Sequence, residues 1–379
     1  MNSELLPWLE EQNDAMVALL RRLVESESPS HDKQAVDRLG KMLEAEFEEA
    51  GGQVRWVRSD HFGDHLRAEF PGASRDGQIL VLGHMDTVWE VGTLQDMPFR
   101  MEAGRVYGPG AFDMKAGLVQ LLFALRALRN GARRPATRLV AFISTDEEIG
   151  SLSSRRHIEE EARRSRAVLV LEPSLPPDGK LKTFRKGVGV FELHVKGRAA
   201  HAGLDPRSGV SAVEEMARQI LALHELTDDD RGVTVNVGTV RGGSRSNVVA
   251  AEAQAQIDVR VSTLADAREM EERMLSLSPF LEGAAVEVTG GMDRPPLERT
   301  PAVVALYEKA RAIAGRLGFD LGEGPAGGGS DGNLTAALGV PTLDGLGAVG
   351  DGAHAAWEQV VAAEMPRRAA LLAHLFEAV

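Results

Sequence analysis

"RLVAFISTDEEIGS", Arg138 to Ser151, sets an unbroken apolar run, Leu139 to Ile143, almost directly against three consecutive acids. An apolar run of this length without polar alternation predicts a strand buried on both faces. Strands of that kind belong to mostly parallel sheets sandwiched between helices. Asp146, Glu147 and Glu148 then fall just past the strand's carboxyl end, where open α/β sheets bind their ligands. Acids at that place must be solvated, paired or bound to metal, because an isolated buried charge is costly.

Working outward, "GQILVLGH" (77–84) and "AVLVLEP" (167–173) repeat the apolar pattern, and "MKAGLVQLLFALRALRN" (114–130) predicts a long helix with Gly131 as its C-cap. From residue 189 the rhythm changes. "GVFELHVKG" (189–197), "GVTVNVGTVRGG" (232–243), "AEAQAQIDVRV" (251–261) and "AAVEVTGG" (284–291) alternate as strands; 209–226 and 264–277 read as helices. That order, β-α-β-β-α-β, is the split βαβ plan of a ferredoxin-like α+β domain. After "DRPPLERTP" the first rhythm returns. The expected fold is therefore α/β, a mixed, mostly parallel sheet covered by helices over 1–180 and 293–379, interrupted by an inserted ferredoxin-like domain over 181–292. A length of 379 residues, more than one core usually holds, agrees with two domains.

The formal net charge of −13 argues against nucleic-acid and anionic-membrane partners, which select basic surfaces. With no cysteine, disulfides, thiolate metal sites and a thiol nucleophile are excluded. Any metal must be held by His, Asp and Glu, which suits Zn, Co or Mn. The first 23 residues place Leu6, Leu9, Met16, Leu20 and Leu23 at helical spacing and lack a signal-peptide core, so a cytoplasmic location is the expectation.

Each predicted strand end carries a metal-ligand type: His84 and Asp86, then Asp146 to Glu148, then Glu172. Asp113 precedes the long helix in "YGPGAFDMKAG", and "GLGAVGDGAH" ends in His354. Singly, each has an ordinary reading: Asp113 as an N-cap, Glu172 as a turn residue. Jointly, His84, Asp113, Glu148, Glu172 and His354 supply the bridging carboxylate and terminal ligands that two metals need. Asp86, two residues past His84, is placed to accept the other imidazole N–H. The remaining histidines (31, 61, 65, 157, 194, 224 and 374) read as ordinary polar residues, and the charge run 155–166 as a solvated helix face.

The ordered set "GHMDTVW", "GPGAFDMKAG", "TDEEIGS", "EPS", "GRAAHAG", "GGGSDG" and "GAH" resembles the co-catalytic zinc exopeptidases, which include aminoacylase, acetylornithine deacetylase, succinyl-diaminopimelate desuccinylase and glutamate carboxypeptidase. The resemblance implies Asp113 as bridging carboxylate, often followed by a cis peptide; Glu148 and His354 on one metal; His84 and Glu172 on the other. It implies Glu147 as general base, Asp86 as the residue orienting His84, and His201 as an oxyanion donor reaching a partner subunit. It also implies two divalent ions, a homodimer formed through the inserted domain, and a small peptide or N-acyl amino acid as substrate. Glu172 resembles aminoacylase and glutamate carboxypeptidase alike, and "LVESESPSHD", "RKGVG", "SNVVAAEAQAQIDVR" and "GGGSDGN" look more like glutamate carboxypeptidase, which assigns Arg260, Asn247 and Ser330 to the substrate. A surface ion pair competes as the reading of Arg260, and a helix N-cap as that of Asp331. Asp146 and Trp357 receive no role. The resemblance implies hydrolysis of an amide to release a C-terminal amino acid. An N-acyl-amino-acid deacylase, a phosphoesterase and a non-catalytic binding protein are the alternatives.

Overall fold

The computed structural model describes residues 5–74 and 76–379. Its chain folds as two compact units. The first comprises Met1–Phe184, Arg299–Ala326 and Ser330–Val379; the second comprises Arg185–Glu298 with Gly327–Gly329.

In the first unit a six-stranded sheet runs, among the described residues, in the order Gln53–Val57, His65–Phe70, Arg138–Ser144, Gln78–His84, Ala167–Val170 and Thr342–Leu343. The last four strands are mutually parallel; the Gln53–Val57 and His65–Phe70 strands add an antiparallel edge. The apolar strands alternate between two cores. Ile79, Val81, Leu139, Ala141 and Ile143 face one, with the helices Ala116–Asn130 and Met365–Ala378. Leu80, Leu82, Val140, Phe142, Val168 and Val170 face the other, with Ile158 and Ala162. Burial on both faces is why these strands carry almost no polar residues. Each fully buried Leu or Val contributes about 1.5–3 kcal/mol relative to exposure.

The register aligns the strand ends that matter. His84 pairs with Ser144, and Leu82 with Val170, so His84, Asp146 to Glu148 and Glu172 all emerge at one edge. The Ala116–Asn130 helix packs closely on this edge: a Cβ added at Gly117 would lie 2.5 Å from the Leu171 carbonyl oxygen. Arg368, fully buried on the Met365–Ala378 helix, donates to the carbonyls of Gly345 (2.7 Å) and Gly347 (3.0 Å) and so anchors the segment that leads to His354.

Three expectations change in detail. The N-terminal helix is two, Leu5–Glu11 and Asn13–Glu25, with a break at Gln12; its first four residues lie outside the described ones. The long helix starts at Ala116 rather than 114, because the chain first makes a wider turn over Ala111–Lys115; the Asp113–Met114 peptide there is cis. The charge run is only partly solvated. Arg155–Glu159 and Arg156–Glu160 pair along the helix, but Glu161 is buried against Arg67 and Gln78. No helix among the described residues is long and apolar enough to cross a membrane.

The second unit is a four-stranded antiparallel sheet in the order Thr234–Gly242, Glu252–Val261, Gly187–Lys196, Ala285–Arg294, with helices Ala212–His224 and Leu264–Leu275. The element order is the β-α-β-β-α-β plan. Its limits extend beyond 181–292 in one direction and fall short in the other. The last strand continues to Arg294, paired with Val188, and Gly327–Gly329 joins this unit because Arg185 donates to the carbonyls of Gly328 and Gly329.

Candidate metal centre and active site

In the first unit, His84, Asp113 and Glu172 present ligand atoms that all lie within 4.8 Å of one another, and Asp113, Glu148 and His354 do the same. Asp113 serves both groups with different oxygens. Its Oδ1 is 3.3 Å from His84 Nε2, and its Oδ2 is 3.5 Å from His354 Nε2. Glu172 Oε1 stands 3.7 Å from His84 Nε2, and Glu148 Oε2 3.0 Å from His354 Nε2. One carboxylate facing two imidazoles with separate oxygens is the arrangement that bridges a metal pair.

The tautomer of His84 follows from its other nitrogen. Nδ1 lies 3.0 Å from the Asp86 main-chain carbonyl, which can only accept, so in the neutral ring that a metal requires Nδ1 carries the proton and the Nε2 lone pair is turned to Asp113 and Glu172. Asp86 meets Nδ1 with its main-chain carbonyl nearer than its carboxylate. The Asp86 carboxylate is 3.5 Å from Nδ1; its hydrogen bonds go to the Ser30 hydroxyl (2.7 Å) and to the amides of Glu147 (3.3 Å) and Glu148 (3.2 Å). Asp86 therefore orients His84 chiefly through its carbonyl, while its side chain holds the turn that carries both glutamates.

These groups strongly perturb one another's charge. Asp113 is half-buried, and although burial opposes its ionisation, bonds from His354 and His84 hold its carboxyl well below the usual range. Glu148 is pushed up by burial and by the Asp113 charge, against the pull of His354. Contacts with Asp113 and Glu148 raise His354 to about 10. Burial opposes charge on His84, yet Asp113 and Asp86 raise it well above its ordinary value. Glu148 Oε1 is buried with no hydrogen-bond partner. Three carboxylates and two imidazoles, with one orphaned oxygen, fit a pair of divalent ions held by nitrogen and oxygen. His354 itself occupies left-handed backbone, φ 60°, a conformation that costs a non-glycine residue roughly 1–2 kcal/mol.

Asp146, unexplained by sequence, is fully buried, and its Oδ2 accepts from Ser153 N (2.5 Å), Ser153 Oγ (2.7 Å) and Ser154 N (3.2 Å). It closes the turn after Gly150, whose φ of 99° suits glycine. Asp331 braces the same stretch, accepting from Ser144 Oγ (3.0 Å) and from Ser151 Oγ. Nearby, His65 is buried between Thr145 and Ser153. Burial lowers its pKa from the ordinary 6.5. The unfolded chain thus takes up this proton first, so the stability tied to a neutral His65 is full above the unfolded value and is lost as pH falls through it. His65→Asn is expected to flatten the fall in urea midpoint between pH 7 and pH 5.5; equal falls in parent and variant would count against this assignment.

Ser330 has a structural task. It is fully buried, donates to Asp344 (2.6 Å) and accepts from Gly332 N (3.1 Å), capping the Asp331–Ala337 helix. Its hydroxyl is spent on the fold, and the N-cap is Ser330 rather than Asp331. Trp357 is half exposed and lies against Gly352. Lys182, not anticipated, sets its Nζ 4.0 Å from Glu172 Oε2; nothing in "LKTF" marks it.

His201, Asn247 and Arg260 belong to the second unit. His201 is exposed, and its Nδ1 accepts from the amides of Gly203 and Leu204 (3.1 Å each), which puts the proton of a neutral ring on Nε2, ready to donate. Asn247 is alongside: its carbonyl accepts from Ala202 N (3.0 Å). Arg260 makes a two-pronged pair with Asp258, 2.8 Å at each bond. The competing ion-pair reading of Arg260 is what this geometry displays.

Comparison with known proteins identifies the family. Residues 80–378 match the model of peptidase family M20/M25/M40. Carboxypeptidase G2 of Pseudomonas sp. (strain RS-16) is 32% identical over 374 residues, covering 96% of this chain and 89% of that protein. In fold, aminopeptidase PepT from Bacillus cereus superposes with a TM-score of 0.79 at 22% identity, covering 96% of this chain and 98% of that one. The Bacillus subtilis YXEP protein, described as a dinuclear metal binding peptidase, superposes at 0.72 and 16% identity, covering 96% and 97%. With the match spanning most of its length and a third of its residues shared with a carboxypeptidase, the chain belongs to peptidase family M20/M25/M40 and is a metallopeptidase of that family.

Proposed function

We propose that the chain hydrolyses an amide bond to release a C-terminal amino acid, as a dimetal exopeptidase of the glutamate carboxypeptidase type. The observation that carries the reading is the division of Asp113 between two ligand groups, Oδ1 toward His84 and Glu172, Oδ2 toward His354 and Glu148. The similarity to carboxypeptidase G2 supports the substrate class, and the dinuclear YXEP protein supports the ion count. Zinc suits the ligand set, with cobalt or manganese as substitutes.

When bound, the two ions would supply Lewis acidity that makes water a nucleophile near neutral pH and polarises the scissile carbonyl. The chain's own groups do the rest. Glu147, half-buried at the head of the Glu147–Ile149 turn, takes the proton from the attacking water. Its carboxyl then delivers that proton to the leaving nitrogen as the carbon–nitrogen bond breaks, so protons balance. In the homodimer, the partner subunit's His201 donates from Nε2 to the oxyanion. Arg260, released from Asp258, and Asn247 receive the free α-carboxylate. A homodimer formed through the second unit belongs to the same proposal.

A panel of C-terminal glutamyl amides against N-acetyl amino acids, with zinc or cobalt restored, tests the reading. The expected result is kcat/KM at least tenfold higher on the glutamyl amides, about 1.4 kcal/mol in the barrier. The reverse order would assign the aminoacylase-type activity instead.

A further inference from the structure

Glu358 stands four residues beyond His354 and is 1% exposed. Its Oε1 accepts from the amides of Phe112 (2.8 Å) and Asp113 (2.9 Å), and its Oε2 from Gly110 N (2.9 Å) and Trp89 Nε1 (3.0 Å). All four partners are N–H donors, which suits a carboxylate and nothing neutral of the same size. Two of them, Phe112 and Asp113, lie on the wide turn that delivers Asp113, and Gly110 is its N-cap. Buried Lys115, on that same turn, donates from Nζ to the Ser26 carbonyl (3.0 Å); burial pushes it down to about 7, against the attraction of Glu358 and Glu27.

On its own side, Glu358 is fixed to His354. Ala355 N bonds Gly352 O (2.8 Å) and Glu358 N bonds Ala355 O (2.9 Å), a compact turn with His354 inside it. Gln359–Val361 then pairs with Arg105–Tyr107, just upstream of the Asp113 turn. The two segments run together, and the Glu358 carboxylate is the side chain that ties one to the backbone of the other. Asp113 is the ligand common to both groups, and His354 completes one of them.

We propose that Glu358 is a positioning residue for the metal pair: it fixes the backbone that presents Asp113 relative to the turn that presents His354, so that metal affinity depends on it. This rests on the dimetal reading above. The carboxylate touches no reacting atom. It acts by holding two ligands at the spacing the ions require, as hydrogen-bonded outer partners of ligands do, and losing such a partner typically lowers metal affinity about 10–100-fold.

The test is a competitive zinc titration of the full-length apoprotein against a chromophoric chelator, for the parent, Glu358→Gln and Leu9→Ala, with thermal melts of each. Leu9 is fully buried in the Leu5–Glu11 helix and serves as a control for lost stability alone. Glu358→Gln keeps the shape but turns an amide N–H toward donors. Its affinity for at least one zinc is expected to fall about 10–100-fold, with kcat reduced and KM within about twofold, whereas Leu9→Ala melts earlier and keeps parental affinity. Should Glu358→Gln fail to fold, Glu358→Asp, which keeps the charge and shortens the reach, is held to the same criteria. Parental affinity for both zincs in the Glu358 variant, or a loss in Leu9→Ala that follows its stability, overturns the inference. A parent that binds no zinc overturns the dimetal reading itself, and that outcome is visible before any variant is titrated.

Discussion

Glu147→Gln is expected to reduce kcat by about 10²–10⁴-fold, the usual contribution of a positioned acid–base group, while both zinc ions still bind and KM changes little. The amide has the shape of the acid and cannot accept a proton. The separation of roles between adjacent glutamates is built into the turn. Asp86 receives both amides, at 3.3 and 3.2 Å, and Glu148 turns toward His354 at 3.0 Å. Glu147 heads the same short turn without belonging to either ligand group. Steady-state kinetics with a zinc titration separate the two effects. A Glu147→Gln protein that keeps more than a tenth of parental kcat would remove Glu147 from the mechanism.

Asp113→Ala has the second large effect. Because Oδ1 and Oδ2 serve different groups, one substitution is expected to abolish tight binding of both zincs, whereas His354→Ala is expected to leave one ion bound with His84 and Glu172. Activity should fall to background in Asp113→Ala. The contrast is read as zinc per chain after gel filtration: two for the parent, none for Asp113→Ala, one for His354→Ala. Equal stoichiometries in the two variants would show that Asp113 does not bridge.

Much of this was legible beforehand. Apolar strands buried on both faces betray themselves by lacking alternation, and "RLVAFIS" does so because Leu139 and Val140 enter opposite cores. Strand ends then locate ligand types, so His84, Glu148 and Glu172 could be placed at one edge from strand order alone. The supporting shell was not legible. Whether Asp86 meets His84 by its carbonyl or its carboxylate depends on a few tenths of an ångström. Asp331 clasps Ser144 and Ser151 across 187 and 180 residues, a relation with no local signature. That the Ser330 hydroxyl caps a helix and meets Asp344 has no mark in the glycine run that precedes it. Glu358 passed unnoticed because its partners are main-chain amides, and no side-chain pattern records them.

The most direct test of the central claim is anomalous diffraction at the zinc edge from crystals of the Glu147→Gln protein soaked in zinc and substrate. Two peaks about 3.5–4 Å apart, one beside His84 and Glu172, the other beside Glu148 and His354, with Asp113 between them, are the predicted result. A single peak, or two that do not share Asp113, would contradict it.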